Sequence, residues 1–197
     1  MMQPSEATQA YKQQILRSGV AIQLVILGKD AFPQESTGIA FCKETWAGQA
    51  SHTCSGRYVL EALGIDWRAE QALGGDPSKL FHALRDVGVV FLNACYVKPE
   101  GKQFAKSTHE QAIKTGYAFN REILEAAPRI ILCGQAELMR WAHPITGNKY
   151  KTYVHPSQLN GISRHEKLRN AWAQTWGTPA SLEGDWPTKP PGIALVK

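Results

Sequence analysis

Two kinds of hydrophobic pattern alternate along the chain. Residues 7–17 set Tyr11, Ile15 and Leu16 on one side of a helix, and Gly19 follows where such a helix would end. The next run, 21–27, is apolar except for Gln23 and stops at Gly28. Apolar runs without alternation fit strands buried on both faces, as in a parallel sheet covered by helices. A second, short extended segment is predicted over 38–42, and helices over 57–64 and 78–86, each followed closely by glycine. The strand pattern returns at 88–93. Ser107 and Glu110 then form a Ser-x-x-Glu capping box that opens a long helix, and Pro128 follows its end. Residues 129–133 read as another buried strand before Gly134, 136–141 as a helix, 151–154 as a strand and 163–176 as a final helix. The proline-bearing tail 184–197 reads as irregular.

Strands alternating with helices predict an α/β fold with a parallel sheet between helical layers. At 197 residues the chain suits a single domain spanning 1–197. In open sheets of this kind ligands bind outside the carboxyl ends of the strands. Those ends read Gly28-Lys29-Asp30, Leu92-Asn93-Ala94, Cys133-Gly134-Gln135 and Val154-His155-Pro156-Ser157. A carboxylate, a carboxamide and an imidazole would therefore meet on one rim. Asp30 could orient or activate a water, and His155 could donate to a leaving group. Asn93 offers a carbonyl and an NH2 side by side, suited to a planar amide-like edge. Phe32 and Phe41 could supply flat walls for an aromatic ligand. Each residue has an ordinary reading alone: an Asp after Gly turns the chain, a strand-end Asn caps a helix, and His-Pro-Ser forms loops. Their placement at successive strand ends is what sets them apart.

Composition narrows the classes. Hydrophobic residues make up 43% and charged residues 20%, a globular balance. The longest nearly apolar run, 20–28, is nine residues, where a membrane span needs about 18. Met-Met-Gln-Pro-Ser-Glu lacks the basic head and apolar stretch of a signal peptide, so the expectation is a cytoplasmic protein without membrane partners. The formal charge is +5, which suits a polyanionic partner without requiring one. Cysteines at 42, 54, 95 and 133 form no C-x-x-C pair, so neither a metal site nor a redox motif is expected.

The rim residues lie in segments that resemble the uracil-DNA glycosylases. Gly28-Lys29-Asp30-Ala31-Phe32-Pro33 and the following Thr37-Gly38-Ile39-Ala40-Phe41-Cys42 are similar to that family's Gly-Gln-Asp-Pro-Tyr-His segment and downstream Gly-Leu-Ala-Phe. Phe91-Leu92-Asn93 is similar to its Leu-Leu-Asn strand, and Ile131-Leu132-Cys133-Gly134 to a strand ending in Trp-Gly. His155-Pro156-Ser157-Gln158-Leu159 resembles its His-Pro-Ser-Pro-Leu loop. The segments occur in the family's order and cover 22–165. The chain departs from the pattern at Lys29 for glutamine, Ala31 for proline, Phe32 for tyrosine, Pro33 for histidine and Gln158 for proline. Residues 43–54 match the family's proline-rich phosphate-gripping loop poorly.

The resemblance implies a three-layer αβα sandwich with a four-stranded parallel sheet, and excision of uracil or a related deaminated base from DNA without metal or organic cofactor. Base flipping would be required, because the glycosidic bond is out of reach inside a stacked duplex. It assigns Asp30 and His155 to catalysis, and Gly28, Lys29, Phe32, Phe41 and Asn93 to the base pocket. Ser55, Ser157 and Arg164 would contact DNA phosphates, and Leu159 would fill the gap left by the flipped base. The expected partner is DNA carrying uracil or another damaged base, and the expected state a monomer. Two other readings fit the same residues: a non-catalytic nucleic-acid-binding member of the fold, and a small-molecule hydrolase on a generic α/β sheet.

If the basic surplus grips phosphates, affinity for undamaged DNA will be weak and will fall steeply as salt rises. Fluorescence anisotropy across a salt series tests this; salt-independent binding, or none at low salt, would count against a DNA substrate.

Overall fold

The computed structural model describes residues 4–30, 37–96, 106–134 and 150–153, with the backbone alone at Asp30, 106–110 and 150–153. The chain opens with helix α1 (Glu6–Arg17), capped by the Ser5 side chain, which accepts from the Thr8 amide. Tyr11 and Ile15 form its buried side, and Gly19 beyond the end has φ +68°. Strand β1 (Leu24–Asp30) follows. Four short helices come next: α2 (Trp46–Ala50), α3 (Ser55–Ala62), α4 (Trp67–Ala72) and α5 (Pro77–Arg85). Strand β2 (Val89–Cys95), helix α6 (Lys106–Ala126), strand β3 (Ile130–Cys133) and strand β4 (Tyr150–Tyr153) complete the described elements.

The strands form one parallel sheet in the order β2-β1-β3-β4. Side chains are described for β1 up to Lys29 and for all of β2 and β3, and these strands carry the core. Val25, Ile26 and Leu27 are sealed from solvent, and β2 and β3 are buried along their whole length. This accounts for the unalternating apolar runs: helices cover the strands and leave no wet face for polar residues. Phe81 of α5 packs edge-on against Phe91 of β2, with ring centroids 4.8 Å apart. Helix α6 approaches β2 through Gly116, where a Cβ would stand 2.0 Å from the Ala94 carbonyl oxygen.

Several predicted elements shift. The first strand begins at Leu24, because residues 21–23 run beside Gly88 instead, with the Gln23 amide donating to its carbonyl. The same strand continues past Gly28 to Asp30, since β2 runs on to Cys95 and pairs Gly28 with Asn93 and Asp30 with Cys95. The segment 38–42 is a turn and not a strand: Gly38 and Phe41 have φ of +80° and +67°, which no ladder accommodates. The long helix begins at Lys106, so Ser107 stands inside its first turn. Helices α2 and α4 went unpredicted, being only five and six residues long. The predicted helices 136–141 and 163–176 and the tail 184–197 lie outside the described residues.

Connection order marks the carboxyl end of β1, flanked by β2 and β3, as the rim where a ligand would enter. The chain leaves β1 for β2 on one side and returns to β3 on the other, so the strand order switches between β1 and β3. The carboxyl ends there are Gly28-Lys29-Asp30 and Cys133-Gly134.

Gly116→Ala sets two effects against each other. Helix propensity alone favours alanine by about 1 kcal/mol, whereas forcing a methyl onto a carbonyl costs about 1–3 kcal/mol. The 2.0 Å approach to backbone means overlap prevails. Urea denaturation will show the variant destabilised; a stabilised variant would mean that α6 does not seat on β2 as described.

Candidate active site

Three of the expected site residues meet at the ends of β1 and β2. Gly28 and Asn93 are paired across the two strands. A Cβ at Gly28 would lie 3.0 Å from both Asn93 Oδ1 and Phe41 Cζ. The missing side chain therefore leaves just enough room for a carboxamide and an aromatic ring to close over the strand. Asn93 is a buried polar residue, 6% exposed, in an otherwise apolar strand. Among the described residues no hydrogen-bond partner meets its carboxamide; the bonds it makes all come from its backbone. A carboxamide without a protein partner at a strand end can hydrogen-bond a ligand or water.

Phe41 reaches this spot by an unusual backbone. Its φ of +67° lies in the left-handed region, which typically costs a non-glycine residue about 1–3 kcal/mol. The surroundings hold it there. Gln49 of α2, fully buried, donates through Nε2 to the Phe41 carbonyl at 3.2 Å and accepts from the Lys43 amide at 2.8 Å. Gly56 of α3 packs so closely on the same carbonyl that a Cβ would overlap it. Two buried hydrogen bonds and burial of a phenylalanine ring contribute about 1–3 and 1.5–3 kcal/mol, enough to offset the strain.

Asn93 is fixed from the opposite side. Among the described residues strand β2 is the edge of the sheet, and no described strand meets the outward amide and carbonyl of Asn93. The Asn93 amide donates to the Tyr96 hydroxyl at 3.2 Å, and the Asn120 carboxamide on α6 donates to the Asn93 carbonyl at 2.9 Å. The Tyr96 hydroxyl donates in turn to Asn120 Oδ1 at 2.9 Å. Further back along the edge, the Phe91 amide donates to Tyr11 Oη at 3.4 Å. Side chains thus take the place of an absent strand.

The other expected residues divide into two groups. The backbone of Asp30 ends β1 two residues beyond Gly28, and Lys29 between them is half-buried. Ser55 is 6% exposed at the start of α3, next to Gly56 and so behind the Phe41 turn. Phe32, His155, Ser157, Leu159 and Arg164 lie outside the described residues.

Two thiols near this rim are held in the neutral form. Burial pushes the Cys42 thiol, beside Phe41, up to about 12, against a hydrogen bond with Thr37 that lowers it. Burial likewise pushes Cys133, at the end of β3, up to about 12. Both stay neutral thiols at physiological pH and are poor nucleophiles. Among the described residues no group of three His, Cys, Asp or Glu side chains could hold a metal, and no helix is long and apolar enough to cross a membrane. An open cleft of about 820 Å³ lies between the ends of α1 and α5, lined in part by Gln14, Arg17, His82 and Arg85. Both helices end where their strands begin, so this cleft opens at the amino side of the sheet, away from the rim. Its Arg85 guanidinium is already engaged by Asp86, Gln14 and His82.

Sequence reasoning missed Gln49, Tyr96 and Asn120. Asn120 carried a readable signal: it shares a helical face with Ile113, Gly116, Ile123 and Leu124, a polar residue at an inward position. Gln49 sits in a helix too short to show periodicity.

No family model and no curated protein matches the chain. Among solved structures it is similar to a mutant of UNG from Nitratifractor salsuginis, with a TM-score of 0.52 and 19% identity over 82% of this chain and 74% of that one. The likeness is one of fold. The chain has a UNG-like α/β architecture built on a parallel sheet.

Removing the Gln49 carboxamide leaves a buried carbonyl and a buried amide without partners. Gln49→Leu is therefore expected to cost about 2–4 kcal/mol in chemical denaturation. A loss below about 0.5 kcal/mol, the range of an ordinary surface change, would mean that the Phe41 turn is not held by Gln49.

Proposed function

We propose that the chain is a monofunctional DNA N-glycosylase that hydrolyses the bond between uracil, or a related deaminated base, and deoxyribose after flipping the nucleotide out of the helix. The observation that carries this reading is the closure of the Asn93 carboxamide and the Phe41 ring over Gly28 at the strand ends. Such a corner fits a flat base that offers an amide-like edge. The UNG-like fold supports it, as do the motif resemblances at Asp30 and His155. The reading extends to a single three-layer αβα domain with four parallel strands, acting as a cytoplasmic monomer.

Recognition follows from hydrogen-bond polarity. Asn93 accepts from uracil N3–H and donates to O4, and Phe41 stacks on the base. Cytosine presents the reverse pattern on that edge, so a fixed amide would leave unpaired groups in a buried site, a strong ground for rejection. Phe32 faces C5, where its bulk excludes the methyl of thymine. Ser157 and Arg164 contact the backbone phosphates, Lys29 borders the base pocket, and Leu159 occupies the space vacated in the duplex.

The chemistry follows from charge. As the glycosidic bond lengthens, positive charge grows on the sugar and negative charge on the leaving base. The Asp30 carboxylate stabilises the first and positions the attacking water. Neutral His155 donates a hydrogen bond to the base oxygen as it becomes anionic. The water delivers its oxygen to C1′, and the base leaves with the bonding pair and takes up a proton.

The direct experiment incubates the protein with a uracil-containing oligonucleotide and cleaves the resulting abasic sites with alkali. The protein will release uracil; Asp30→Asn and His155→Ala will each slow single-turnover release by about 10²–10³-fold. Both variants will keep wild-type melting temperatures and DNA affinity. Variants that lose stability yet turn over normally per folded molecule would reduce both residues to ordinary turn and loop positions.

A further inference from the structure

The ring of hydrogen bonds around Asn93 has a single possible direction. A backbone amide can only donate and a backbone carbonyl can only accept. The Tyr96 hydroxyl, accepting from the Asn93 amide, therefore spends its own proton on Asn120 Oδ1, and Asn120 Nδ2 is the atom facing the Asn93 carbonyl. The usual ambiguity in orienting an asparagine amide is thereby removed. Asn120 is sealed from solvent on α6, and Tyr96 packs edge-on against Phe119 of the same helix, with centroids 5.1 Å apart. The close seating of Gly116 on the Ala94 carbonyl holds α6 at the height where Asn120 reaches β2.

We propose that Tyr96 and Asn120 are positioning residues that fix the Asn93 backbone, and through it the angle at which the Asn93 carboxamide meets the base. The proposal rests on the reading of Asn93 as the base-recognition group. Its physical basis is the sheet edge. Gly28 pairs with Asn93 on the inner side only, and without the ring the outer amide and carbonyl would be unpaired and the strand end free to shift. Recognition by two opposed hydrogen bonds loses strength steeply with misalignment. Burial, the largest influence on the Tyr96 phenol, holds its pKa far above the ordinary value, so it remains a neutral donor throughout the working pH range.

Two variants of the full chain test the proposal, with two readouts. Tyr96→Phe removes the hydroxyl and keeps the ring. Asn120→Asp keeps the acceptor for Tyr96 and replaces the NH2 donor by a carboxyl. The readouts are single-turnover uracil release and affinity for the same oligonucleotide carrying a tetrahydrofuran abasic site, which has no base for Asn93 to meet. Tyr96→Phe is expected to slow release about tenfold, the worth of one such hydrogen bond, with abasic-site affinity unchanged. Asn120→Asp should release uracil poorly at alkaline pH and recover relative to wild type as pH falls, because a protonated carboxyl regains a donor toward the Asn93 carbonyl. Wild-type release rates in both variants, or parallel loss of abasic-site affinity, would overturn the proposal. So would fast hydrogen exchange at the Asn93 amide of the wild-type protein, a measurement that stands even if a variant fails to fold. A wild-type protein that releases no uracil would instead overturn the reading on which the proposal rests, and the positioning role with it.

Discussion

The pairing of Gly28 with Asn93 is the constraint on which the described site depends. It joins the two strands that carry the rim residues, and it does so at a point where one partner has no side chain. Any larger residue at position 28 would press on Asn93 Oδ1 and on the Phe41 ring together. The backbone of β1 then runs two residues further, still paired with β2, so the carboxylate-bearing position at Asp30 is tied to the same ladder. Base recognition and hydrolysis, as proposed, would share one rigid frame.

Around that pair the protein accepts local costs and offsets them nearby. Phe41 sits in a left-handed backbone conformation, held by the Gln49 carboxamide and by the bare Cα of Gly56. Asn93 stands on the buried edge strand of the described sheet, where Tyr96 and Asn120 supply the hydrogen bonds a further strand would have made. Backbone strain and buried polar groups tend to gather where a protein binds something. Here both lie within one side chain of Gly28.

Much of this is legible in the sequence. Helix α1 with its glycine stop, the three buried strands and the long helix before Pro128 follow from periodicity and punctuation alone, because each is long or strongly apolar. Gly28, Phe41 and Asn93 stood out through strand-end position and motif resemblance. What failed was local and physical. The apolar residues 38–42 look like a strand, yet positive φ at Gly38 and Phe41 makes them a turn, an outcome set by Gln49 and Gly56 from outside the segment. The ring around Asn93 joins residues 93, 96 and 120, and no pattern within a single element announces such a contact.

In the proposed function the Asn93 carboxamide, closed against Phe41 over Gly28, reads a uracil edge. The most direct test is a nuclear magnetic resonance titration of the nitrogen-15-labelled full chain with free uracil and, separately, free cytosine. The side-chain NH2 resonances of Asn93 are expected to shift saturably with uracil and to remain in place with cytosine. Equal shifts with both bases, or none at Asn93 while other residues respond, would contradict it.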